Sequence, residues 1–151
     1  MAENNNALAG KLPKTPNPAL KKLEPLIGKW KITGDDVDGE TIFEWMEGGF
    51  FLIQRFDLKQ GGSNPKGIEY TGFDEETQTL RSRLMGTDGS RFTYTYEIEG
   101  DTFWYWFGDK GSDSYSLSTF SEDGNSYSGR WQWTEADGKS YGYEYTATRV
   151  E

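Results

Sequence analysis

Turn signals recur along this chain so closely that little but short strands fits between them. Asp-Gly or Gly-Asp pairs fall at Asp38-Gly39, Asp88-Gly89, Gly100-Asp101, Asp123-Gly124 and Asp137-Gly138. Gly48-Gly49 and the stretch Asp74 to Gln78 add two more. Such pairs between alternating polar and apolar runs are the strongest short-range mark of a β-hairpin. From Trp30 onward the apolar period is two, and the intervals read as ten strands, starting near Lys29, Glu40, Phe50, Gly67, Thr79, Ser90, Thr102, Tyr115, Ser126 and Ser140. Nearly every strand joins the next by a short connection, which makes an antiparallel meander without βαβ crossovers. Ten meandering strands in an open sheet would leave long unpaired edges, and closure removes them. The expected fold is all-β, a closed antiparallel up-and-down barrel of about ten strands.

Hairpin registers follow from which loop length opposes like with like. A three-residue loop Ala136-Asp137-Gly138 sets Trp131 opposite Tyr143, Trp133 opposite Tyr141 and Arg130 opposite Glu144, and puts Gly138 at the left-handed position. The same loop length at Thr87-Asp88-Gly89 opposes Leu84 to Phe92, Ser82 to Tyr94 and Leu80 to Tyr96. At Glu122-Asp123-Gly124 it opposes Tyr115 to Trp131 and Thr119 to Tyr127. A two-residue loop at Gly100-Asp101 opposes Tyr96 to Tyr105 and Ile98 to Phe103. One face thereby collects rings with scattered hydroxyls. Its candidate ligand-binding residues are Trp45, Gln54, Phe56 and Ser82 from the first half, then Tyr94, Tyr96, Tyr105, Tyr115, Trp131, Trp133 and Tyr143. Two stretches stay open. In the second and third strands Ile42, Met46, Phe51 and Ile53 alternate against Phe43, Trp45, Phe50 and Leu52. Glu44 and Arg55 share one of those faces and form a polar pair in the lumen if that face is the inner one. Phe103 to Phe107 is aromatic on both faces, so Trp104 and Trp106 need cover outside the barrel, from the amino-terminal helix or from a second copy in a homodimer.

Composition narrows the chemistry. The chain of 151 residues has no cysteine and no histidine, which removes disulfides, thiol nucleophiles, iron–sulfur clusters, His-ligated zinc or haem and His-based triads. Aromatics make up 16% of residues against 34% for all hydrophobics, too many large rings for a disordered chain. A net charge of −9 argues against a nucleic-acid partner, which basic patches would recognise. The longest uncharged apolar run, Gly49 to Ile53, is far short of the ~20 residues of a membrane-spanning helix. The acidic hairpin Gly34 to Gly39 suggests a calcium loop, but with Gly39 as the sixth position an acid is missing at Gly34 and a Glu at Trp45. No cofactor or metal is expected.

Residues 1–16 are polar, contain Asn4-Asn5-Asn6 and two prolines, and read as a disordered leader before a single barrel domain over 17–151. Without the apolar core of a secretory signal, the expected location is cytoplasmic. Asn17 caps a short helix of about two turns with Pro18 at its first position; Leu20, Leu23 and Leu26 or Ile27 form its greasy side, Pro25 stops it early, and it reads as a lid or plug. The connection Lys59 to Gly67 is the longest and most flexible, suited to a portal loop or a linker; its Gly61-Gly62 pair lacks the following helix of a phosphate loop.

Leu23-Glu24-Pro25-Leu26-Ile27-Gly28-Lys29-Trp30 carries a Gly-x-Trp that opens the first strand after a short helix. This resembles the calycin superfamily of lipocalins and fatty-acid-binding proteins. The resemblance implies that a late Arg, here Arg149 in Tyr145-Thr146-Ala147-Thr148-Arg149, lies across Trp30 and closes the barrel end. Together with Gly48-Gly49-Phe50-Phe51-Leu52 and Gly72-Phe73-Asp74, these motifs resemble, from about Pro18 to the end, the bacterial family catalogued as domain of unknown function 1579. Haem-binding nitrobindins are similar in outline, but their axial His has no counterpart here.

The expected function is binding of a small hydrophobic or aromatic molecule inside the barrel, stacked on Trp and Tyr and oriented by hydroxyls. The alternative is a metal-free, histidine-free enzyme, a cyclase, isomerase or lyase, acting in the same cavity through a Tyr or a carboxylate. A third possibility, a sugar-binding module, needs Trp104 and Trp106 open in a groove.

Overall fold

The computed structural model describes residues 8–150. Of the expected leader, residues 1–7 lie outside the described residues and residues 8–15 are exposed. A 3₁₀ helix, Pro18–Leu26, precedes ten strands: β1 Gly28–Gly34, β2 Val37–Trp45, β3 Leu52–Gln60, β4 Lys66–Asp74, β5 Thr79–Gly86, β6 Arg91–Glu99, β7 Thr102–Phe107, β8 Tyr115–Phe120, β9 Ser126–Thr134 and β10 Ser140–Val150. Every strand pairs antiparallel with its sequence neighbours, and β10 returns to β1 to close the barrel. No helix among the described residues is long and apolar enough to cross a membrane.

Asn17 caps the helix by accepting from the Ala19 N–H at 2.9 Å. The helix runs on through Pro25 to Leu26 instead of stopping before the proline. Three residues per turn explains its buried stripe: Leu20, Leu23 and Leu26 are three apart and all point down. They cover one end of the barrel rather than its outer wall, over a core of Trp30, Leu52, Leu80, Ile98, Phe103 and Phe120.

Four hairpins decide which side chains face in. The β5–β6, β6–β7 and β9–β10 registers are those the loop chemistry dictates, including Leu84 opposite Phe92, Tyr96 opposite Tyr105, and Trp131 opposite Tyr143. The β8–β9 register differs by one residue. Tyr115 opposes Gln132, and Phe120 opposes Tyr127. Asn125 joins the turn, because Asp123 accepts from the Asn125 N–H and Ser121 pairs with Ser126 across a four-residue loop. One added loop residue flips every side chain of β8. Ser116 and Ser118 face in, and Tyr115 and Leu117 face out. The first hairpin also turns elsewhere than expected. Its two-residue loop is Asp35-Asp36, with Asp36 left-handed at φ 57°. Asp38-Gly39 lies within β2 instead. Gly39 is needed there because a Cβ would sit 2.3 Å from the Asp57 carbonyl oxygen of β3 and 2.7 Å from the Leu58 Cα.

The open face of β2 and β3 is resolved by register: Phe43, Leu52, Gln54 and Phe56 face in, while Ile42 is exposed. Glu44 and Arg55 consequently pair on the outer wall, each about half exposed, a position where an ion pair contributes under ~1 kcal/mol. On β7, Trp104 and Trp106 stack on each other outside, 5.2 Å apart and 3° from parallel. Tyr115 tilts onto Trp104, the Lys110 ammonium lies over Trp106, and Thr95 holds the following loop by donating to the Gly108 carbonyl oxygen. The chain supplies this cover itself. Trp106 is buried, so the two indoles form no open groove for a sugar.

Candidate functional site

The barrel is filled at the helix end and hollow at the other. At the filled end the Arg149 guanidinium lies 4.2 Å from the Trp30 ring centroid. It donates to the carbonyl oxygens of Pro25 and Gly124 at 3.1 Å each, to that of Ile27, and to Asn125 Oδ1 at 3.2 Å. Trp30 Nε1 donates to the Leu26 carbonyl oxygen at 2.8 Å. Helix, first strand, last strand and the β8–β9 turn are thus tied by one side chain. Gly28 makes room for it, since a Cβ there would meet Arg149 Nη1 at 2.5 Å.

The hollow end holds a cavity of about 330 Å³ to which every strand contributes. That size lies at the lower end of the range for small-molecule sites. Gln60, Pro65, Lys66, Asp88 and Ser90 rim the mouth, which puts the β3–β4 connection at the entrance. That loop is held by its own bonds: Leu58 N–H to the Pro65 carbonyl oxygen at 2.8 Å, and Ser63 Oγ to the Gln60 carbonyl oxygen at 2.7 Å.

Of the eleven residues the sequence proposes for ligand contact, Gln54, Phe56, Tyr94, Tyr96, Tyr105, Trp131 and Tyr143 line this cavity. Tyr105 stacks on Trp131 at 5.6 Å and 13°, with Tyr94 against Tyr105 at 4.8 Å. The other four lie elsewhere. Trp45 is at the helix end, donating from Nε1 to Glu24 at 2.7 Å. Ser82 is buried beneath the cavity and bound to Glu69. Tyr115 is outside, through the β8 register. Trp133 stands nearer the rim than Trp131, stacked with Tyr141 and bonded to Glu135 at 3.0 Å.

The floor contains a residue that sequence reasoning missed. Glu69 is completely buried, and four side chains turn their donors toward it: Gln54 Nε2 at 2.5 Å, the Tyr96 hydroxyl at 2.7 Å, the Tyr105 hydroxyl at 3.5 Å, and Ser82 Oγ. Thr41 extends the network by donating to Gln54 Oε1 at 2.6 Å. Among the described residues no cation pairs with the carboxyl, and their ion pairs join side chains at the molecular surface. Burial pushes the Glu69 pKa above the usual carboxylate range, and the bonds from Ser82, Tyr96, Gln54 and Tyr105 oppose that rise without cancelling it. Burial and the nearby Glu69 charge likewise hold Tyr96 and Tyr105 far above the ordinary phenol value. Burial raises Tyr143 to about 12.

Glu69 is hidden in the sequence because Ile68 and Tyr70 flank it, and strict alternation then points the acid outward. The signal was in the register. Pairing Asp74 with Thr79 across the β4–β5 turn sets Glu69 opposite the inward Leu84.

No described protein family matches this chain, and no curated protein does. Among solved structures, Rv2717c from M. tuberculosis is similar with a TM-score of 0.55 at 16% identity, over 90% of this chain and 99% of that one. A de novo designed fluorescence-activating β-barrel is similar with a TM-score of 0.46 at 13% identity, over 84% of this chain and 95% of its own. At the identity shared with Rv2717c, the likeness is one of barrel architecture.

Proposed function

We propose that the barrel binds a small hydrophobic or aromatic molecule in its open half. The observation that carries this is the cavity itself: a deep, mostly apolar volume open at the rim, walled by the faces of Tyr94, Tyr105 and Trp131, over a floor of hydroxyls and an amide. A chain that merely filled its barrel would place its large rings on the axis, as this one does at the helix end. Kinship with the domain of unknown function 1579, which four motifs of this chain resemble, and with calycins more broadly, belongs to the same proposal; the guanidinium across Trp30 supports it.

The neutral fluorescent probe N-phenyl-1-naphthylamine tests the reading. It is expected to bind once per chain with enhanced emission. The double variant L58W/L84W, which puts two indoles into the cavity near its mouth, is expected to weaken binding at least tenfold while leaving the far-UV spectrum unchanged. Equal binding by both proteins would place the probe on the outer surface and reject the cavity as its site.

A second reading is a metal-free, histidine-free enzyme, a cyclase, isomerase or lyase working in the same space. Glu69 favours it specifically: a carboxyl whose pKa burial raises above the ordinary carboxylate range, hydrogen-bonded to the Tyr96 hydroxyl, has the makings of an acid–base pair. For any compound found to bind, this reading expects a turnover number that Y96F lowers at least a hundredfold, well beyond the change it makes in the dissociation constant. Product formation that survives Y96F would remove the Glu69–Tyr96 pair from the chemistry.

A further inference from the structure

The polarity of the cavity has a direction. Hydrogen-bond donors on its floor are already committed: Gln54, Ser82, Tyr96 and Tyr105 all donate to Glu69, and Thr41 donates to Gln54. A phenol that donates its proton downward presents oxygen lone pairs to whatever lies above it. Tyr96 and Tyr105 both line the cavity, so the floor offers acceptors to a guest.

Charge has a direction too. Lys66 is the one cation among the described lining residues, and it stands at the rim, more than half exposed and turned toward Asp57. Arg55 and Arg81 pair with acids on the outer wall, and Arg149 is engaged behind Trp30 at the closed end. Among the described residues no basic group inside would neutralise a carboxylate or phosphate guest, which would also lie beside Glu69. The rim carries Asp88, and the walls are ring faces, whose quadrupoles attract positive charge.

Resting on the proposal that this cavity is a binding site, we infer that its occupant is an organic cation: an aromatic or alicyclic body bearing a protonated amine. Its N–H groups sit on the Tyr96 and Tyr105 oxygens above Glu69, and its body lies between Tyr94, Trp131 and Tyr143. Fatty-acid-like anions are excluded from the site by the same arrangement.

Three probes of one shape and different charge test this by calorimetry in 150 mM NaCl: 2-naphthylmethylammonium, 2-naphthylmethanol and 2-naphthoate. The ammonium is expected to bind once per chain and at least tenfold tighter than the alcohol, with no heat from the naphthoate up to millimolar concentration. In E69Q the ratio of ammonium to alcohol affinity is expected to fall below three. Should E69Q not fold, the wild-type series decides alone. Alcohol or naphthoate binding as tightly as the ammonium overturns the inference and leaves the binding site standing. Ammonium binding with more than one site per chain, lost on adding salt, also overturns it, as surface attraction to an acidic protein. An undiminished ratio in E69Q overturns the role of Glu69. Failure of all three probes to bind overturns the binding site itself.

Discussion

Trp30→Ala is expected to cost the fold about 3–5 kcal/mol, the usual range for deleting a fully buried aromatic. For a chain of this length that is a fall of about 10 °C in Tm. Trp30 has no exposed surface, and three contacts depend on it: the edge of Tyr127 at 4.9 Å, the Leu26 carbonyl oxygen, and the guanidinium of Arg149. Truncation opens a void at the filled end that surrounding backbone cannot close, since β1 is paired on both sides. R149K separates the contributions. It retains the positive charge but not the planar fork that reaches Pro25, Ile27, Gly124 and Asn125 together, and a loss of about 1–3 kcal/mol is expected. Urea unfolding followed by circular dichroism measures both. A Trp30→Ala protein within about 1 kcal/mol of wild type, far below the usual cost of such a deletion, would show that the helix and barrel hold together without this plug.

Glu69→Gln is expected to stabilise the protein at pH 8 and to leave it nearly unchanged at pH 4. The folded state holds the Glu69 carboxyl above its ordinary value of 4.5, chiefly by burial. A group with a raised folded-state pKa binds its proton more tightly in the native state than in the unfolded one. Its contribution is therefore fully present below about 4.5 and is lost as pH climbs through the folded-state value. Glutamine keeps an acceptor for Gln54 and Tyr96 and gains a donor for Ser82, without a charge to desolvate. The gap between variant and wild type should open upward through this window to about 1–3 kcal/mol, the cost of a poorly solvated buried polar group. Repulsion from the net charge of −9 grows over the same range but acts on both proteins. Asp74, Asp88, Asp123 and Asp137 act in another window. Hydrogen bonds in their turns, mainly to Thr77, Ser90, Asn125 and Lys139, hold them below 3.8. The stability they add is present above that ordinary value and disappears as pH falls through their depressed values. Stability curves for the two proteins that stay parallel from pH 4 to 8 would mean that Glu69 titrates alike folded and unfolded.

The two mistaken turns share a cause. At Asp38-Gly39 the dipeptide that signals a hairpin was serving another need, close approach of β3 to a strand without a side chain in the way. At Glu122-Asp123-Gly124 the glycine was placed correctly in a turn, but Asn125 was drawn in as well, and its side chain and backbone carbonyl both hold Arg149 from the far end of the chain. Local chemistry could not count that loop. The cost of miscounting was Tyr115, expected inside and found stacked on Trp104, while two serines took the inner positions. Where only cross-strand packing was at stake, as in Trp131 opposite Tyr143, matching aromatics and charges was enough.

Turn spacing and the period of two were sufficient, unaided, for a closed meander of ten strands with rings on its inner face, because hairpins are local and an open sheet of that length exposes its edges. The absence of histidine and cysteine likewise disposed of whole classes of chemistry. Closure decided the rest. Only when Gln54, Glu69, Ser82 and Tyr96 come together from four strands does a lone carboxyl become a buried acceptor ringed by donors. Tyr96, its partner at 2.7 Å, is 27 positions away in the chain, and alternation along one strand carries no trace of such a neighbour.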